Sequence, residues 1–166
     1  MKRILGVLLL MPFLFWAGMR IYSSITFNIN CQGRLKRAAD ANTVDLAKQE
    51  LKVALAYMEQ ENMTGGYTSV LYRTPDEDVG FWHTNLTASL TELENLKADA
   101  PPLERSNMLI KLRETLVDHT QYGEKVTLPD GISVFPHNGG YALFGIFGTI
   151  AGIAGVYLIF FSGDYY

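Results

Sequence analysis

At 166 residues, with 48% hydrophobic side chains and a formal net charge of -3, the chain is long enough for one module with its own core once its two apolar ends are set aside. Between Ser23 and Gly140 stand 11 basic and 16 acidic residues, an acidic surplus that gives no field for a phosphate backbone and excludes nucleic acid as a partner. The single cysteine, Cys31, excludes an intramolecular disulfide and any multi-cysteine zinc site.

Residues 4–22, ILGVLLLMPFLFWAGMRIY, rise roughly 28 Å as a helix, close to the thickness of a bilayer's hydrocarbon core. They are expected to form a first transmembrane helix, with Arg20 reaching the interface by its aliphatic stem. Met1-Lys2-Arg3 before an apolar run is also the grammar of a cleaved secretory signal. Against that reading stand the length of the run and the lack of a small-x-small site after Ala17 and Gly18.

Residues 23–140 are expected to form a mostly helical polar domain. Ser23 to Ala41 should continue the first helix, with Ile21, Ile25, Ile29 and Leu35 on one stripe and Gly33 as a weak point. Asn42 with Asp45 three residues on reads as a helix start. Val44, Ala47, Leu51, Leu55 and Met58 then mark one apolar face until Thr64-Gly65-Gly66. Residues 65–73 read as an extended stretch or packed loop.

Thr74-Pro75-Asp76-Glu77-Asp78 combines a threonine cap, proline at the first helical position and carboxylates at the positive dipole end. The helix it opens carries Val79, Trp82, Leu86, Leu93 and Leu96 on one stripe and stops at Pro101-Pro102. Leu103 to His119 should form another, with Leu109, Leu112 and Leu116 aligned. Residues 125–128 and 132–135 flank Pro129-Asp130-Gly131, which predicts a small hairpin or extended loop before the second span. Amphipathic helices joined by short connections predict a mainly α fold, an antiparallel up-and-down bundle between two transmembrane helices.

The second span, residues 141–161, reads YALFGIFGTIAGIAGVYLIFF, without a charge and with tyrosines near both ends, where amphipathic rings favour the interface. Gly145, Gly148, Gly152 and Gly155 make one groove, widened by Ala151. Gly148 and Gly152 form the GxxxG pattern that lets helices approach closely in lipid. The groove can take the first span, which offers Gly6 and Gly18, or a helix of another subunit or copy, with the balance toward the latter. A short tail, 162–166, follows. Basic residues on either side of the first span nearly balance. A loop of this length, however, translocates regardless of its charge, so both termini are expected in the cytoplasm and the module outside.

Little in the module specifies chemistry. His83, His119 and His137 lack partners at zinc-helix spacing. Asp76, Glu77 and Asp78 lack the alternating oxygens of a calcium loop. Phe81, Trp82, Tyr67 and Tyr72 could line an aromatic pocket, although Trp82 fits a core position more simply. Nucleophile elbows, phosphate loops and dinucleotide fingerprints are absent from the sequence. No enzyme, no cofactor and no metal is therefore expected, and the charge-free second span argues against ion conduction by this chain alone.

The block Gly66-Tyr67-Thr68-Ser69-Val70-Leu71-Tyr72-Arg73-Thr74-Pro75-Asp76-Glu77-Asp78-Val79-Gly80-Phe81-Trp82 resembles a segment of small uncharacterised two-span membrane proteins of cyanobacteria. The resemblance covers the central part of the module and brings no activity, cofactor or catalytic residue. It implies a bacterial inner or thylakoid membrane with a periplasmic or lumenal domain. The expected function is that of a non-catalytic interaction protein, an accessory or assembly subunit with lipid and a transmembrane protein or second copy as partners. The alternative is an extracytoplasmic sensory or ligand-binding module. Only Ser162-Gly163-Asp164-Tyr165-Tyr166 follow Phe161, so such a module is expected to signal through a partner.

Overall fold

A computed structural model describes residues 1–121 and 123–161; the tail expected at 162–166 lies outside them. The fold is mainly helical, with one antiparallel two-stranded sheet. It divides into two compact units, one of Met1–Ile25 with His137–Tyr166 and one of Thr26–Pro136.

The first unit holds most of α1 (Lys2–Phe27) and α6 (Asn138–Phe160). Both are long and apolar enough to cross a membrane, with mean hydropathies of 2.0 and 2.1 over their most apolar windows. Their large side chains point outward: Leu8, Phe15, Phe147 and Ile153 are all more than half exposed. The residues of α6 that are buried are its four spaced glycines.

The second unit begins where α1 passes into a π-helical turn, Asn28–Gln32, and then α2, Gly33–Ala39. Gly33 donates its N–H to the Asn28 carbonyl, and a Cβ at Gly33 would lie 2.8 Å from that oxygen. Glycine therefore enables the wider turn here, where the sequence suggested only a weak point. The buried stripe is Phe27, Cys31, Leu35 and Ala38, whereas Ile21, Ile25 and Ile29 are exposed. Ile25 and Phe27 are two residues, roughly 200°, apart on a helix, so the expected isoleucine stripe lay on the opposite face.

The α3 helix, Val44–Gln60, starts one residue later than expected: Thr43, not Asn42, caps it by accepting from the Leu46 N–H. Its face of Ala47, Leu51, Ala54, Leu55 and Met58 is buried. Burial of each of the larger side chains contributes about 1.5–3 kcal/mol. Pro75–Glu77 form a separate 3-10 turn in which the Thr74 hydroxyl bonds the Glu77 carboxylate. The cap of α4, Val79–Asn95, is Asp78, which accepts from the Phe81 N–H. The acidic triplet thus serves two successive turns, because Asp78 is extended and breaks the helix that Thr74 was expected to open.

α5, Pro102–Leu116, ends earlier than its predicted limit at His119. Val117–Thr120 instead become β1 and pair antiparallel with β2, Gly123–Val126, with Val117 opposite Val126. The hairpin is therefore upstream of the expected one. β-branched Val117 and Thr120 favour the strand, and Gly123 supplies the φ of +117° that the turn requires. Ile132–Val134 forms a 3-10 turn after Gly131, at φ +73°. In the core, α2 packs on α3 and α5, and α3 also packs on α4.

Candidate functional site

The glycines at 145, 148, 152 and 155 all face α1. A Cβ on Gly145 would stand 2.8 Å from the Trp16 ring, one on Gly148 3.3 Å from the Phe13 Cα, and one on Gly152 3.3 Å from the Phe13 Cβ. At Gly155 it would lie 2.6 Å from the Gly6 carbonyl oxygen, and one on Gly6 would lie 2.8 Å from the Gly155 oxygen. The partners advance on α1 as they retreat on α6, so the helices run in opposite directions. Gly18, the other glycine considered for this contact, meets nothing within 4 Å, and Ala151 is half-buried.

Polar contacts close one end of this seam. The Trp16 indole Nε1 donates to the Tyr141 carbonyl at 2.9 Å, and the Ser23 Oγ and Tyr141 hydroxyl are 3.1 Å apart. Trp16 and Tyr141 are half-buried, and an indole N–H or phenol withdrawn from water finds such a partner. Sequence spacing marked the glycines as a groove and leaned toward a helix of another subunit or copy to fill it, whereas it is the first span of the same chain that lies against them. The deciding residues, Gly6, Leu10 and Phe13, are ordinary members of an apolar run.

Within the second unit, charge is organised in two places that sequence reading missed. Glu50 is 5% exposed in the middle of the apolar face of α3. Its oxygens meet Arg34 Nη1 at 3.1 Å and Arg37 Nη2 at 2.6 Å. Arg34 and Arg37 are three apart on α2, a spacing that puts both on one face. The second place links α2, α5 and β2: Lys36 and Arg113 each bridge Asp40 and Glu124, at 2.6–3.2 Å. Hydrogen bonds from Arg113, then from Lys36, hold the Glu124 carboxyl down at about 2.

The remaining candidate residues do not converge. His119 is exposed, with Nδ1 3.7 Å from Glu124; His83 is on α4 and His137 precedes α6. Trp82 is core, whereas Phe81 and Tyr72 are exposed, and Arg73 stacks over Tyr67 at 5.3 Å. Among the described residues no three His, Cys, Asp or Glu side chains are grouped to hold a metal ion. Burial pushes the Cys31 thiol up to about 12, far from the thiolate needed for nucleophilic chemistry.

Comparison with protein-family models, curated proteins and solved structures finds no match to this chain. The geometry alone therefore carries the reading. It offers a sealed helix pair, two ionic clamps, and apolar side chains left exposed on the second unit. Val70, Leu71 and Tyr72 are 53%, 85% and 74% exposed in the loop between α3 and α4. Such an arrangement can anchor and dock. None of the groups described in it is an activated nucleophile or a paired acid and base.

Proposed function

We propose that this chain is an integral membrane protein whose two spans pair with each other and hold a helical bundle outside the cytoplasm, as a non-catalytic accessory or assembly subunit. Support for the membrane reading comes from the first unit, whose outward faces are almost wholly apolar. In water such a surface far exceeds the patches that soluble proteins leave exposed, while in lipid it is the ordinary face of a spanning helix. Loop length and the basic amino tail favour both termini in the cytoplasm of a bacterial inner or thylakoid membrane.

The observation that carries the docking role is Val70-Leu71-Tyr72, three consecutive apolar side chains all more than half exposed on a module whose other exposed apolar residues, such as Phe81, Leu103 and Ile110, are scattered singly in the chain. The glycine groove is already filled by α1, so an interaction with another protein falls to the module and to the lipid-facing sides of the spans. Purification from native membranes in mild detergent tests this reading. A stoichiometric partner that is retained by the wild-type chain and lost with Leu71→Ser and Tyr72→Ser together supports it. A solitary protein, or a partner indifferent to those substitutions, overturns it. A second reading, a ligand-binding module, is favoured by the cavity beside α3.

A further inference from the structure

The start of α3, the first turns of α5 and the segment 96–98 enclose a cavity of about 410 Å³, within the size range of small-molecule sites. Lys48, Lys97 and Arg105 line it, with Asp45 as the single carboxylate. In a module with an acidic surplus this is a local reversal of sign.

Two of the three cations have contacts that hold them at this wall, and the third has its charge unmatched. Arg105 donates from Nε to the Ala100 carbonyl at 3.1 Å and from Nη2 to the Ala98 carbonyl, so its guanidinium is fixed. Lys97 has no ion-pair partner among the described residues. Lys48 meets Asp45 at 2.9 Å, but the Asp45 side chain is 91% exposed and sits at the mouth. Lys48, then Arg105, holds the Asp45 carboxyl below its ordinary value.

The field therefore already retains one carboxylate at its edge. Arg105 also sits in the first turn of α5, where the helix dipole disfavours a cation. A bound anion would offset both that penalty and the mutual repulsion of the three positive groups. The Thr43 and Ser106 side chains line the same space and add neutral donors, and Leu96 and Leu109 supply an apolar wall for a carbon skeleton.

We infer that this cavity binds a small organic anion through carboxylate or phosphate oxygens held by Lys48, Lys97 and Arg105. The site rests on the cavity alone and stands whether or not the module docks a partner. Isothermal titration of the full chain in detergent tests it, with citrate and inorganic phosphate as probes and chloride holding ionic strength constant. One saturable site is expected for at least one of the probes. Its affinity should fall about tenfold with Lys48→Gln or Lys97→Gln, the lower range for one charge-assisted contact at a partly exposed wall. Lys125→Gln removes the same charge from β2 and should leave the affinity unchanged.

Asp45→Asn gives the opposite sign: removing the internal competitor should tighten binding several-fold, although it weakens the first turn of α3. That gain would not arise from a merely structural role. Repeating the titration in nanodiscs with and without phosphatidylglycerol separates the two sources of such oxygens. Competition by the lipid assigns the site to a headgroup, and undisturbed affinity assigns it to a soluble anion. Absence of saturable binding to either probe, or equal loss with Lys125→Gln, would overturn the assignment.

Discussion

Alanine at position 155 tests the seam between α1 and α6 most sharply. Its Cβ would lie 2.6 Å from the Gly6 carbonyl oxygen, whereas carbon and oxygen in ordinary contact are about 3.3 Å apart. The helices must therefore part by about 0.7 Å at this crossing, since the obstacle is backbone and cannot rotate away. Gaps of that size forfeit a quarter to a half of each dispersion contact, and they would open along the neighbouring contacts with Leu10 and Phe13. Forced separation of a packed seam costs about 1–3 kcal/mol. Gly18→Ala is the control: it meets open space and gains the same helix propensity, about 1 kcal/mol. The difference between the two variants thus isolates the close approach. Reversible unfolding in mixed micelles, followed by circular dichroism, measures both. If Gly155→Ala proves as harmless as Gly18→Ala, the packing argument is refuted.

The Glu50 clamp predicts an asymmetry. Glu50 is buried while Arg34 and Arg37 are partly exposed, at 34% and 67% of their side chains. Glu50→Gln should therefore cost about 1 kcal/mol, because the arginines can return to water. Removing both arginines strands a buried carboxylate and should cost about 3 kcal/mol in chemical denaturation; the reverse order would contradict the geometry. At Glu124 the folded carboxyl titrates at about 2 rather than 4.5, so its contribution is present above the unfolded value and is lost as pH falls from about 4.5 towards 2. Thermal melts across that interval should show a smaller acid loss in Glu124→Gln than in the parent chain, and parallel curves would count against the ion network.

Periodicity made much of this molecule legible. Leu51, Met58, Trp82, Leu86 and Leu112 fall where their spacing put them, because an apolar face on a helix has only one way to leave water. The glycines of α6 were legible for the same reason, as a groove. What fills the groove was not, since close packing depends on shape along a run in which every residue is apolar. The hairpin was misplaced because Pro129-Asp130-Gly131 is a stronger turn signal than the residues around Gly123, and strand pairing is decided by the partner rather than by local preference. Glu50 escaped notice because a glutamate between apolar positions reads as a surface residue. Only its contact with two arginines from a distant stretch makes its burial tolerable. The cavity beside α3 was hidden in the same way: Lys48, Lys97 and Arg105 belong to three separate segments.

The contacts linking Gly6 to Gly155 and Trp16 to Tyr141 also act on the chain as a topological constraint. Thr26 and Pro136, the ends of the second unit, follow and precede residues that are fastened together. While that fastening holds, the intervening polypeptide unfolds as a closed ring rather than an open coil. Closing a loop on the order of 100 residues removes about 4–5 kcal/mol of chain entropy from the unfolded ensemble, as a disulfide does. A polar domain with one cysteine thus gains the benefit of a cross-link, supplied by non-covalent contacts between its flanking helices.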